Sequence, residues 1–180
     1  MQKYFFSLLF FFSVSVMVYS QSQDAKQMSM DTKYKMMYNE VLNALTSGNL
    51  NVLDKYISPD FVEHDPSPVM STKTGLDRIK DDFAEYHKVF PDMKAQVHSI
   101  AVSGDMLFAY LTFTGTTSEP YMGMPAGHKM TMNSVDVIRF KGDKAAEHWG
   151  FTSNSDIMMM MQQDKSMGHQ NMMNQGTDKK

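Results

Sequence analysis

The chain contains no cysteine among its 180 residues. That absence excludes a disulfide framework, a thiolate metal site, a cysteine nucleophile and a lipid-modified cysteine. Neither sign of charge dominates: 17 basic residues stand against 20 acidic ones, mixed along the chain. There is accordingly no nucleic-acid footprint and no polybasic membrane patch. Internal repeats are absent too, so stability has to come from one packed core, and about 160 mature residues suit a single domain. The one long apolar run is Tyr4 to Val18, which follows the short basic start Met1-Gln2-Lys3 and precedes a small residue at Ser20. This is the layout of a secretory signal peptide, and the run is shorter than the roughly 20 residues needed to span a bilayer. Residues 1–20 are therefore expected to be removed, giving an exported protein, periplasmic or secreted, with no membrane segment after cleavage. Loss of Lys3 would take the formal charge from −3 to −4.

What remains divides by composition. Residues 21–30 are polar and read as a flexible leader, residues 31–161 as the folded domain, and residues 162–180 as a disordered tail rich in Met, Asn and Gln. Asp31-Thr32 can cap a helix running to about Ser47, with Met36, Met37, Val41, Leu42 and Leu45 at three- and four-residue steps and Gly48 as its stop. A short helix fits Asn51 to Tyr56. Phe61 to His64 reads as a brief strand or extended arm before the turn at Asp65-Pro66-Ser67-Pro68. A third helix, Thr74 to Phe90, places Leu76, Ile79, Phe83 and Tyr86 on one side.

Beyond Pro91-Asp92 the period changes from helical to alternating. Met93 to Val102 and Met106 to Thr116 flank Ser103-Gly104-Asp105, and Lys129 to Phe140 and Lys144 to Thr152 flank Lys141-Gly142-Asp143, two strand-turn-strand signals. Three helices followed by four long strands predict an α+β domain with the helices packed on an antiparallel sheet. Between Met106 and Thr116, Leu107, Ala109, Leu111 and Phe113 point one way, and Phe108, Tyr110, Thr112 and Thr114 the other. Bulk on both faces predicts that the second face is covered, by another copy of the chain in a homodimer; the alternative is isolated surface aromatics, which monomers tolerate.

Several local strings recur in a recognisable order: Gly48-Asn49-Leu50, Pro59-Asp60-Phe61-Val62-Glu63-His64-Asp65-Pro66, Phe90-Pro91-Asp92, Gly104-Asp105, Thr114-Gly115-Thr116, Gly123-Met124-Pro125-Ala126, Val135-Asp136-Val137-Ile138-Arg139-Phe140 and Glu147-His148-Trp149. Together they resemble the SnoaL-like polyketide cyclase, or ester cyclase, family of the nuclear transport factor 2-like superfamily. The resemblance implies a cone-shaped α+β barrel, a curved sheet wrapped by helices around a deep cavity. It also implies frequent dimerisation through the sheet. In the family's cyclases an aspartate just after the tryptophan of the last strand is the general acid and base of an intramolecular aldol closure. Here that position is Gly150, which has no proton to give, and the acid often seen three residues later is Ser153.

Two functions follow from the same residues. The first is a module that binds a small hydrophobic molecule, with Trp149, Phe83, Tyr86, Phe113 and Ser134 as candidate pocket residues and no cofactor. The second is a lyase, isomerase or hydrolase using Asp136 as base with His64 orienting or donating. Strand parity leaves open whether Asp136 faces the cavity or faces solvent beside Arg139, and His64 equally suits a turn-stabilising role. Alternation puts His148 and Trp149 on opposite faces, and the larger Trp149 is expected inside.

Twenty methionines, seven of them between Ile157 and Lys180, add a third reading. Thioether and imidazole ligands suit copper(I), so the Met/His tail is a candidate copper site; alternatively, methionine simply replaces leucine in the core, as at Met36 and Met37. No spacing in the tail fixes a coordination geometry, and no metal ligand is assigned.

Overall fold

The computed structural model describes residues 5–65 and 71–153, with side chains at residue 24 and from residue 26 onward. The Met-rich tail, its copper reading and most of the turn after Asp65 lie outside the described residues.

Helix α1 runs Phe5–Ser47 without a break. The expected start at Asp31 and the flexible leader over residues 21–30 are both corrected: that stretch contains neither Gly nor Pro, so nothing in it interrupts the backbone ladder. Instead of capping, Asp31 accepts a hydrogen bond from Gln27 and Thr32 Oγ1 donates back to the Met28 carbonyl, both one turn away inside the helix. Gly48, at φ +74°, ends the helix, its N–H donating to the Ala44 carbonyl. Tyr34, Met37, Tyr38, Ala44 and Leu45 form the buried stripe. Met37 is a core residue as expected, whereas Met36 points outward and is 47% exposed. Met93, Met124 and Met130 are also buried, in a second cluster with Leu45, Val89 and Phe90. Met37, Met93, Met124 and Met130 thus serve as packing material, whereas Met28, Met36 and Met122 are exposed.

A single 3-10 turn, Leu50–Val52, leads into the short α2, Leu53–Tyr56, and β1, Ile57–Glu63. Helix α3, Gly75–Val89, follows Thr74 at its N-cap and buries Leu76, Ile79 and Val89. The remaining strands are β2, Lys94–Ser103, β3, Met106–Thr116, β4, Lys129–Lys141, and β5, Lys144–Thr152. They form one open sheet in the order β1-β5-β4-β3-β2.

Two features differ from the expected architecture. The sheet is not closed into a barrel, and it is mixed, because β1 pairs parallel with β5. The pairings β2–β3, β3–β4 and β4–β5 are antiparallel, as the short turns at Gly104-Asp105 and Gly142-Asp143 require for the first and the last. β1 reaches β5 only after α3 and three strands have intervened, a connection long enough to permit the parallel direction.

The alternation in β3 is as expected. Leu107, Ala109 and Leu111 are fully buried beneath the helices, each leucine contributing about 2 kcal/mol of burial. Phe108 and Tyr110 point away and are 41% and 45% exposed.

Candidate functional site

The pairing register decides which side chains meet. On β4 the residues facing the helices are Ser134, Asp136 and Phe140, all buried. Asp136 pairs with Gly150 and Ile138 with His148, so His148 and Gly150 lie on that same inner face. Glu63 of β1 stands beside His148 in the parallel pair, and two residues on, Asp65 comes level with Gly150.

These positions assemble a chain of polar groups that is buried at Tyr38 and Asp136 and half-buried at His148, Glu63 and Asp65. Asp136, 9% exposed, accepts hydrogen bonds from the Tyr38 hydroxyl at 2.8 Å and from Ser134 Oγ at 3.1 Å. His148 Nε2 lies 3.8 Å from Asp136 Oδ1, and its Nδ1 donates to Glu63 at 2.8 Å. Glu63 in turn accepts the Asp65 backbone N–H at 3.0 Å, and the Asp65 carboxylate accepts the Gly150 N–H at 2.7 Å. Burial alone would push the His148 imidazolium toward deprotonation, but Asp136 and Glu63 outweigh it and hold the pKa up at about 10. His148 is therefore a cation across the neutral range. Asp65 is shifted upward from the ordinary carboxylate range, chiefly by burial, with the Gly150 N–H pulling the other way. The Tyr38 hydroxyl is likewise held protonated by burial and by Asp136, so it stays a donor. Tyr38→Phe removes one partner from a buried carboxylate and is expected to cost about 1–2 kcal/mol in urea unfolding at pH 7.

Beside this chain, between the start of α3 and β1, lies a pocket of about 320 Å³ lined by residues that include Phe61, Glu63, Asp65, Thr74 and Gly75. Its volume is at the lower end of the range of small-molecule sites. Lys73 and Arg78 also border it, the first paired with Asp81 and the second with the buried Asp82. Tyr86, packed against the second core cluster, is shifted upward chiefly by burial. Glu63, Asp65 and His148 each bring a ligand atom within 4.8 Å of the others, a set that could hold a cation. A metal would need His148 deprotonated, and its two carboxylate neighbours oppose that.

Of the residues singled out from sequence, Asp136 and Ser134 lie together on the inner face. Phe83 packs against both core clusters, and Tyr86 and Phe113 against the second. His64 and Trp149 are elsewhere. Both lie on the outer face, their rings stacked in parallel at 4.3 Å, with the Arg139 guanidinium 5.3 Å above the indole. Glu147 pairs with His64 and Arg139 at their edges. The expectation that Trp149 walls the cavity is thus corrected, and with it the pairing of His64 with Asp136, since the sheet separates them. The reason is parity: position 149 pairs with Val137, an outward residue, and a stacked, cation-capped indole is stable on a half-exposed face. The histidine that meets Asp136 is His148. Glu63, Asp65 and Tyr38 complete the site, and the only local sign of the two acids was their place in the Glu63-His64-Asp65 string.

Solved structures with the same fold cover nearly their whole length with this chain. TsrD from Streptomyces laurentii superposes with a TM-score of 0.64 at 19% identity, over 72% of this chain and 95% of that one. IdmH from Streptomyces antibioticus gives 0.60 at 24% identity, over 73% and 97%. A SnoaL-like polyketide cyclase from Agrobacterium tumefaciens gives 0.58 at 18% identity, over 68% and 93%. At these identities the likeness is one of fold. No curated protein sequence matches the chain. The family profile described as SnoaL-like polyketide cyclase matches residues 34–163, well over half of the sequence and all of the sheet, so the chain belongs to the SnoaL-like polyketide cyclase family.

Proposed function

We propose that this domain is an acid–base enzyme that moves protons on a small carbonyl compound, as ring closure requires, in the pocket between α3 and β1. The observation that carries this reading is the chain Tyr38, Asp136, His148 and Glu63, which runs from the buried core to the pocket wall. Taking carboxylates and an imidazolium out of water costs several kcal/mol per ion before pairing. A site that only held an apolar molecule would fill the same space with aliphatic side chains and avoid that cost. In this reading Glu63 is the base that meets the substrate. His148 positions it and balances its charge, and Asp136, held by Tyr38 and Ser134, positions His148. The name of the family, a cyclase, points to ring closure.

The test is proton exchange at carbon. Wild-type protein in heavy water is expected to accelerate loss of the α-proton NMR signals of acetonylacetone or of β-keto esters above the buffer rate. Glu63→Gln keeps the size and an acceptor for the Asp65 N–H, and it should lower the acceleration by about a hundredfold. Tight binding of apolar ligands with no exchange of any probe would favour the passive module instead.

The outer face bears on assembly. Phe108 and Tyr110 of β3, Val135 of β4 and Phe151 of β5 form a continuous exposed apolar surface, Val135 standing opposite both Tyr110 and Phe151. We propose that a second copy covers it, since a twofold contact lets one flat apolar face meet itself. Phe151, at 58% exposure, is the most accessible of the four. Phe151→Lys is expected to shift the sedimentation mass from dimer to monomer while the far-UV circular dichroism is retained.

A further inference from the structure

The acid that the family resemblance puts just after the last-strand tryptophan is missing at Gly150, yet the space beside Gly150 is not empty. A Cβ built there would lie 2.3 Å from Asp65 Oδ2 and 3.5 Å from both Asp65 Cγ and His148 Cε1. A carboxylate already occupies the volume into which a side chain at position 150 would project. The parallel register explains how it arrives. With Glu63 level with His148, the residue two further along β1's direction comes level with Gly150 and shares its face. The absence of a Cβ at 150 then does two things: it admits the Asp65 carboxyl, and it leaves the Gly150 N–H free to donate to Asp65 Oδ2 at 2.7 Å. Glycine at 150 is a condition for this arrangement rather than only a loss.

We propose that Asp65 is the catalytic acid of this chain, supplied from the end of β1 into the space of a side chain at position 150. The proposal rests on the reading of the domain as an acid–base enzyme and assigns the second proton-handling group of that same site. Asp65 lines the pocket next to Glu63, so both carboxyl groups reach one bound molecule. Burial favours the protonated form of Asp65, and the His148 cation holds Glu63 as its partner. In a closure between two carbonyl arms of one molecule, Glu63 takes the α-proton and the carbon left behind forms a bond to the carbonyl carbon of the other arm. Asp65 gives its proton to that carbonyl oxygen. The product is an isomer of the substrate, nothing is oxidised or reduced, and the proton on Glu63 returns to Asp65 through solvent.

Four proteins test the assignment: wild type, Asp65→Asn, Gly150→Asp, and the exchange variant carrying Asp65→Gly with Gly150→Asp. Each is assayed for conversion of acetonylacetone to its cyclic isomer and for α-proton exchange, and each is melted. Asp65→Asn is expected to lose at least about a hundredfold in ring closure while proton exchange, which needs only the base, falls far less. Gly150→Asp should melt several degrees below wild type, because two carboxylates then contest one space, and the exchange variant should recover both the melting temperature and about a tenth or more of the ring closure. Closure by Asp65→Asn at the wild-type rate would overturn the assignment while leaving the acid–base reading intact. Gly150→Asp melting like wild type would overturn the shared space on which it stands. Absence of exchange and closure in the wild-type protein would sink the acid–base reading, and this proposal with it.

Discussion

Exchanging His148 for glutamine is expected to cost about 3 kcal/mol of stability at pH 7, the lower end of the range for deleting one partner from a buried ion pair, because His148 and Glu63 are half-buried. For a domain of this size that is on the order of 10 °C in melting temperature. The cost arises because Glu63 and Asp136 lie on either side of the imidazolium and remain when it is gone. Its dependence on pH distinguishes this cause from a simple packing loss. The unfolded histidine titrates near 6.5, and the folded one is held up at about 10. A raised folded pKa means that the stabilisation is complete below pH 6.5 and is withdrawn as pH climbs through 10. The gap between wild type and His148→Gln should therefore be widest at pH 6 to 7 and should close progressively toward pH 10.5. Urea melts across that range check it. A gap independent of pH would mean that His148 is neutral in the fold and does not balance the charge of Glu63.

How much of this was legible in the sequence depends on whether the information was local. The strands were legible because alternation is local: Leu107, Ala109 and Leu111 are buried and Phe108 and Tyr110 exposed as the period of two requires, and Gly104-Asp105 and Gly142-Asp143 mark the turns. The start of α1 was not, because Gln21 to Met30 is polar without being helix-breaking, and polarity alone does not distinguish a solvated helix from a loose leader. The site fell between these cases. Asp136 could be singled out as an acid on a strand, but its facing depended on register. The groups that give Asp136 its setting come from 98 residues earlier, at Tyr38, and from a parallel pairing that joins residues 85 apart. No local pattern encodes that pairing. Size then misled where parity was undetermined, since a tryptophan is more often inside than a histidine, and here the histidine is inside because two carboxylates await it.

Gly75→Ala tests the other structural condition of the pocket, the close approach of α3 to β1. Gly75 opens α3 at φ +60°, and a Cβ there would lie 2.0 Å from the Pro59 carbonyl oxygen and 3.1 Å from its carbon. Both obstacles are backbone, so no side-chain rotation relieves them. The substitution should cost about 3 kcal/mol or more, combining the strain of a left-handed alanine, about 1 kcal/mol, with the displacement of α3 from β1. Gly104 supplies the control within the same protein. Its φ is +63°, nearly the same, yet a Cβ there meets nothing within 4 Å. Gly104→Ala should therefore show the conformational term alone, about 1 kcal/mol, and the difference between the two variants in urea melts measures the contact. Because Gly75 lines the pocket together with Phe61, Thr74 and Arg78, the displacement should also impair proton exchange, whereas Gly104→Ala, in the distant β2–β3 turn, should leave it at the wild-type rate. Equal costs in the two variants would mean that α3 can shift freely against β1, and the pocket between them would then have no fixed wall on which Glu63 and Asp65 could hold a substrate.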